Sequence, residues 1–323
     1  MHSSTRIVVT REIPDAALKV LRDAGEVWMS DADRPLSPQE LREAVAGASA
    51  VVGMLHDRID ASVADAAGPS LKVFANVAVG YDNVDVPALA ERGVVVTNTP
   101  DVLTEATADL TFGLLLAVTR RLGEGDRLLR AGTPWSFHLG FLLGAGLQGK
   151  TLGIVGLGQI GQAVARRALA FGLRIVYTGR SRVAEDVEKS LGARYLPTNE
   201  LLESADFVSL HCPLTPETHH LINAETLRVM KPGAYLVNTT RGPVVDEAAL
   251  AEALAAGRIA GAALDVFEKE PEVEPALLTM ENVVVTPHLG SATVETRTEM
   301  ALLAARNVVS VLAGNGPLNE VRR

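Results

Sequence analysis

Four short segments carry the residue types from which a reaction could be built. Leu152, Gly153, Ile154 and Val155 run into Gly156, Leu157, Gly158, Gln159, Ile160 and Gly161, a complete G-x-G-x-x-G between an apolar strand pattern and an amphipathic helix pattern. Gly156 permits a tight turn, Gly158 lets a pyrophosphate approach the backbone, and Gly161 allows the helix to pack closely on the sheet. The helix start then offers N–H groups and partial positive charge to the phosphates. Three further segments end strand patterns: Asn238 to Gly242 with Arg241, Asp265 to Pro271 with Glu270, and Pro287 to Ala292 with His288. A guanidinium grips a carboxylate and polarises a carbonyl. An imidazolium gives a proton to the oxygen that becomes a hydroxyl, and a neighbouring carboxylate keeps that ring charged and oriented. Together they are what reduction of a keto acid requires.

The strand that follows the glycine motif should deliver an acid to the ribose hydroxyls of NAD. Here the chain reads Gly179, Arg180, Ser181 and Arg182, and the first acid is Glu185. Gly179 leaves room for an extra phosphate and the two arginines offer it guanidiniums, so NADP(H) is the expected preference, with NAD(H) as the other possibility.

These segments need sheets to position them. Residues 1–100 alternate β-branched runs with helical stretches, with strands expected at Ile7 to Thr10, Val27 to Met29, Ala50 to Met54, Val73 to Asn76 and Val94 to Thr97. Ser37, Pro38 and Glu40 spell a capping box at one helix start. A long helical pattern covers residues 101–121, and Gly132 to Gly149, rich in glycine and aromatics, reads as an arm or long loop. A second series begins at Thr151, with six strands at Leu152 to Val155, Arg174 to Tyr177, Phe207 to His211, Ala234 to Asn238, Ala262 to Val266 and Val283 to Thr286. A last helix spans Ala292 to Ala313 and crosses back to the first series. The expected fold is α/β, with two doubly wound parallel-sheet domains: a Rossmann cofactor domain, residues 101–287, inserted into a flavodoxin-like substrate domain of residues 1–100 and 288–323, and an active site in the cleft.

Composition narrows the class. A chain of 323 residues with 47% hydrophobic and 21% charged residues is a folded globular protein of two domains. Its formal charge of −9, without a long block of either sign, argues against nucleic acid or an anionic membrane as partner. No apolar run is long enough for a membrane span, and Met1 to Arg6 lead into a strand without a signal-peptide stretch. The single cysteine, Cys212, reads as packing, which leaves no disulfide and suits the cytoplasm. No cluster has metal-ligand spacing, and His219 and His220 read as solvated loop residues.

On these motifs the chain resembles, over essentially its whole length, the D-isomer-specific 2-hydroxyacid dehydrogenases, and most closely their glyoxylate/hydroxypyruvate reductase branch. The resemblance implies that Arg241 binds substrate, Glu270 supports the histidine and His288 does acid/base work. It also implies that a backbone turn at Val79 and Gly80 helps to hold the substrate carboxylate, that Asp265 holds the nicotinamide amide, and that an aromatic of the arm, Phe141 before Trp135, limits the pocket. It further implies a small 2-keto or 2-hydroxy acid as ligand and a homodimer with the arm in its interface. Related activities on 2-ketogluconate, D-lactate or phosphite stay open at this point, as does a non-catalytic nucleotide-sensing corepressor built on the same scaffold.

Overall fold

The computed structural model describes residues 5–32 and 34–322, so the first four residues of the N-terminal reading lie outside the described residues. The chain forms two compact units, Met1–Leu103 with Ala292–Arg323, and Thr104–Ser291.

In the first unit, β1 (Arg6–Val9), β2 (Glu26–Met29), β3 (Ala50–Gly53), β4 (Val73–Asn76) and β5 (Val95–Thr97) form a parallel sheet in the order β2-β1-β3-β4-β5. That order is the flavodoxin-like one. Between the strands run α1 (Asp15–Arg22), α2 (Pro38–Val45), α3 (Ala61–Ala67) and α4 (Val86–Ala90). β3 and β4 are buried on both faces, which explains their unbroken apolar runs, and the capping box at Ser37 and Glu40 closes with both of its bonds.

The second unit opens with α5 (Thr104–Thr119) and α6 (Leu122–Arg130) and continues through β6 (Thr151–Val155), α7 (Gln159–Ala170), β7 (Arg174–Thr178), α8 (Glu185–Leu191), β8 (Arg194–Tyr195), α9 (Thr198–Ser204) and β9 (Phe207–Leu210). It is completed by α10 (Ala224–Val229), β10 (Tyr235–Asn238), α11 (Glu247–Ala255), β11 (Gly261–Leu264), α12 (Pro275–Leu278) and β12 (Val283–Val285). The sheet order β12-β11-β10-β9-β6-β7-β8 is parallel throughout and reverses direction at β6, the Rossmann switch point. The last helix, α13 (Val294–Leu312), belongs to the first unit and packs on α1, β3 and β4.

Three boundaries differ from those the sequence suggests. The second sheet has seven strands, not six, because β8 is a two-residue edge strand, too short to show a period and defined only by its pairing with β7. The helical pattern of residues 101–121 breaks at Arg121, which adopts φ +54, and a separate helix, α6, follows. The chain leaves the second unit after Ser291, not before His288, since His288, Leu289 and Gly290 are hydrogen-bonded to Asp265.

Candidate active site

The glycine motif forms the turn between β6 and α7. Gly156 has φ +96, and a Cβ there would lie 2.7 Å from the carbonyl of His211. At Gly161 a Cβ would come within 2.3 Å of the Gly156 oxygen, so the close approach of helix to strand depends on it. Gly158 is the N-cap of α7 and its missing Cβ would project into open space, where a phosphate can approach the backbone. No side chain caps this twelve-residue helix, and its first turn carries no acid. Its orphan N–H groups therefore suit an anionic ligand, and the turn fits a dinucleotide pyrophosphate. Leu157 is buried, Ile160 packs partly on the core and Gln159 is exposed, so Leu157 and Ile160 secure the turn from beneath.

At the end of β7, Gly179 is half-buried while Arg180, Ser181 and Arg182 are exposed. The two arginines differ in what holds them. Arg182 donates through Nε and Nη2 to the two carboxylate oxygens of Glu188 on α8, at 2.8 and 2.9 Å. Arg180 lies near enough to Glu217 to help lower its pKa, behind the larger effect of the Thr215 hydroxyl.

The other three segments leave β10, β11 and β12, adjacent strands of the same sheet. Asn238 shapes the first: its Oδ1 accepts from the Thr240 N–H at 3.0 Å and its Nδ2 donates to the Arg241 carbonyl at 3.0 Å. Gly242 follows, where a Cβ would fall 1.8 Å from the carbonyl carbon of Phe267. The Arg241 turn thus rests directly on the backbone that leads to Glu270. Glu270 in turn faces His288, with Nδ1 of the ring 2.9 Å from Oε2 and 3.2 Å from Oε1. With Nδ1 turned to Glu270, Nε2 is the ring nitrogen that faces away from that carboxylate. His288 and Glu270 are both partly exposed, so a ligand can reach them.

Asp265, 0% exposed, organises the histidine loop. Its Oδ1 accepts from the Thr286 hydroxyl at 2.6 Å and the Leu289 N–H at 2.7 Å, and its Oδ2 accepts from the Gly290 N–H at 2.8 Å. Burial pushes its pKa up and these bonds pull against that shift. Three of about four acceptor sites are filled within the chain.

A second histidine–carboxylate pair was not legible in the sequence. His220, expected among solvated loop residues, has Nε2 2.6 Å from Glu268 Oε1 and stacks on His219 at 4.1 Å between ring centroids. Its backbone N–H donates to the Pro243 carbonyl at 2.8 Å, while the Glu268 N–H donates to Glu247 Oε1 at 2.6 Å. The pair ties together the turns that carry Arg241 and Glu270. Its only sequence signal is the polar character of each partner, because 48 residues separate them.

In the first unit, Val79 and Gly80 lie in the turn after β4, pinned by Asn98 Nδ2 on the Val79 carbonyl and Asn76 Nδ2 on the Gly80 carbonyl, each at 2.8 Å. In the second unit, Phe141 stands in the arm and stacks on Trp135 with ring centroids 6.0 Å apart. That arm and α6 expose Leu122, Leu129, Trp135, Phe137, Leu139 and Leu143, with Phe137 79% and Leu139 87% accessible.

Residues 112–290 match the model of the D-isomer specific 2-hydroxyacid dehydrogenase NAD binding domain. A glyoxylate reductase of Thermococcus onnurineus is 50% identical over 98% of this chain and 96% of its own length. The chain belongs to the D-isomer-specific 2-hydroxyacid dehydrogenases. This dehydrogenase also resembles a glyoxylate reductase of Korarchaeum cryptofilum, at 50% identity over 98% of this chain and 96% of the relative. Among solved structures, an NADPH-dependent glyoxylate/hydroxypyruvate reductase from Sinorhizobium meliloti, in complex with NADP and malonate, aligns with TM-score 0.86 and 38% identity over 99% of both chains. The dehydrogenase is accordingly an oxidoreductase that uses a nicotinamide cofactor on a CH–OH group. Among the described residues, no helix is long and apolar enough to cross a membrane.

Proposed function

We propose that this dehydrogenase reduces glyoxylate and hydroxypyruvate to the corresponding 2-hydroxy acids and prefers NADPH to NADH. The observation that carries the reading is the His288–Glu270 pair at 2.9 Å, on strand ends of the sheet that also bears Arg241 and the glycine turn. The names of the Thermococcus, Korarchaeum and Sinorhizobium relatives support it.

When bound, the cofactor supplies the hydride. Gly156 to Gly161 would hold its pyrophosphate, and Gly179, Arg180 and Ser181 would receive the 2′-phosphate of NADPH. Arg241 grips the substrate carboxylate and polarises the carbonyl, while His288 delivers a proton from Nε2 to the carbonyl oxygen. Glu270 fixes the ring through Nδ1, which sets the direction of that proton. Asp265 acts behind the site by shaping the loop. The Val79–Gly80 turn is assigned a share in carboxylate binding, and Phe141 the limit on substrate size.

The exposed apolar side chains of α6 and the arm are assigned to a second copy of the chain, giving a homodimer, since large apolar side chains gathered at a surface are unfavourable in water. A cytoplasmic setting suits the single buried thiol. A panel of 2-keto acids assayed in parallel with NADPH and NADH tests the chemistry. Glyoxylate and hydroxypyruvate should lead in kcat/KM, with pyruvate and phenylpyruvate behind; a panel led by a bulky keto acid, or by NADH, contradicts the reading.

A further inference from the structure

The turn after β7 is folded around a buried carboxylate with no part in the chemistry described so far. Glu188, in α8, is 9% exposed and receives three donors. The Tyr177 hydroxyl donates to its Oε1 at 2.6 Å, and Arg182 places Nε and Nη2 on its two oxygens in a side-on fork at 2.8 and 2.9 Å. The Tyr177 oxygen accepts in turn from the Val183 N–H at 3.0 Å. Tyr177 is itself fully buried at the end of β7, so this network is anchored in the core. These donors hold the Glu188 carboxyl down at about 2, which keeps it ionised at any working pH.

The consequence is a direction for Arg182. Its side chain lies along α8 and lines a surface hollow with Val183, Glu185, Lys189, Gly192 and Ala193, none of them part of the glycine turn. A fork already spent on one carboxylate has its Nε/Nη2 edge and two of its donors committed. Arg180, two residues earlier and beside Gly179, is exposed, and the carboxylate its charge bears on is Glu217, outside α8.

We propose that Glu188 is a specificity-determining residue for the cofactor: it holds Arg182 against α8, away from the ribose end of the site, and so limits the phosphate-binding charge to Arg180. The inference rests on the reading of residues 179–181 as the 2′-phosphate site. NADPH preference is then moderated by a residue that touches no ligand, and loss of the tether strengthens it.

The test is the ratio of kcat/KM for NADPH over NADH, with calorimetric binding of adenosine 2′,5′-bisphosphate and of AMP as a readout independent of turnover. Glu188→Gln keeps size and a partner for Tyr177 but weakens the hold on Arg182. Its ratio should rise at least about fivefold, the low end for one added charge-assisted hydrogen bond in a screened setting, with NADH parameters near wild type as evidence of intact folding. Adding Arg182→Ala should return the ratio to the wild-type value. Glu185→Gln, which removes an equal charge from the same helix without touching Arg182, should leave it unmoved. An unchanged ratio in Glu188→Gln overturns the proposal, as does a rise that survives Arg182→Ala. A fall would overturn it too, since it would mean that Glu188 aims Arg182 at the phosphate. Arg180→Ala reads the phosphate site itself. Loss of NADPH use there beside an unmoved Glu188→Gln rejects the role of Glu188 alone. A rise in Glu188→Gln erased by Arg182→Ala supports that role whatever Arg180 does.

Discussion

The backbone carbonyl of Asp265 accepts the N–H of His288 at 2.8 Å, while its carboxylate takes the N–H groups of Leu289 and Gly290 at 2.7 and 2.8 Å. One buried residue thus fixes three successive amides of the loop that presents the histidine. His288 is held at φ +54, a conformation non-glycine residues seldom adopt without such support. Replacing Asp265 with Ala should lower stability by about 3 kcal/mol or more, since each buried group left unsatisfied costs about 1–3 kcal/mol. Turnover should fall with it. Urea unfolding and steady-state kinetics check both, and wild-type turnover in a folded Asp265→Ala would show that the loop holds its shape without the carboxylate.

His288→Ala should reduce kcat by about two to four orders of magnitude, the usual worth of a positioned general acid. Glu270→Gln should lose less, because the amide can still contact Nδ1 but brings no charge. Arg241→Ala should raise KM for the keto acid and also lower kcat, since carboxylate binding and carbonyl polarisation are lost together. Steady-state kinetics on the three variants separates these patterns. Near wild-type turnover in His288→Ala would remove the proposed acid.

Two glycine substitutions should have opposite signs. At Gly242 a new Cβ would sit 1.8 Å from Phe267 backbone, so Gly242→Ala must displace the Arg241 turn and should impair substrate binding as well as stability. At Gly113, exposed on α5, a Cβ meets nothing within 4 Å, and Gly113→Ala should stabilise by about 0.5–1 kcal/mol through helix propensity. Thermal unfolding and substrate KM compare them directly.

Acid should destabilise the second unit before its depressed carboxylates, Glu188 among them, titrate. Burial pushes His211, beside the glycine turn, down to about 3, well below its unfolded value near 6.5. Between those values the unfolded chain binds a proton that the folded one refuses, so stability present above pH 6.5 is lost as pH falls towards 3. The denaturation midpoint should already decline between pH 6.5 and 5, where Glu188 and other depressed carboxylates are silent. His211→Gln should flatten that part of the curve, and an equal slope in the variant would reject the assignment.

Cys212 should resist thiol reagents while the protein is folded. Burial raises its pKa to about 11, so little thiolate exists at pH 8 and little of the sulfur is accessible. Reaction with a chromogenic disulfide should wait for denaturant; fast labelling of the native protein would contradict this.

The readable features were those that short-range physics encodes. A strand running into Gly156, Gly158 and Gly161 is legible because a tight turn, an open helix start and a close packing contact fall within six residues. The capping box at Ser37 and Glu40, the apolar runs of β3 and β4 and the polar segments ending β10, β11 and β12 are local in the same sense. Composition and these motifs were therefore enough to specify two parallel α/β units and an arginine, a glutamate and a histidine at strand ends.

Where a side chain goes is decided by the partners that folding brings to it, whether close or distant in the chain. Nothing around Arg182 announces that Glu188, one helical turn into α8, will take its guanidinium, because that requires Tyr177 buried beneath both. His220 meets Glu268 only after β10 and β11 have paired and brought their turns together. Gly242 looks like any flexible residue until the Phe267 backbone occupies the space of its Cβ. β8 exists only through hydrogen bonds to β7. Backbone propensity and turn sterics act over a few residues, so the sequence by itself determined which elements form and which chemical groups stand at their ends. Burial and side-chain pairing depend on atoms that only the assembled fold brings into contact, so only the tertiary structure decided which of those groups face a ligand and which are used to hold the others in place.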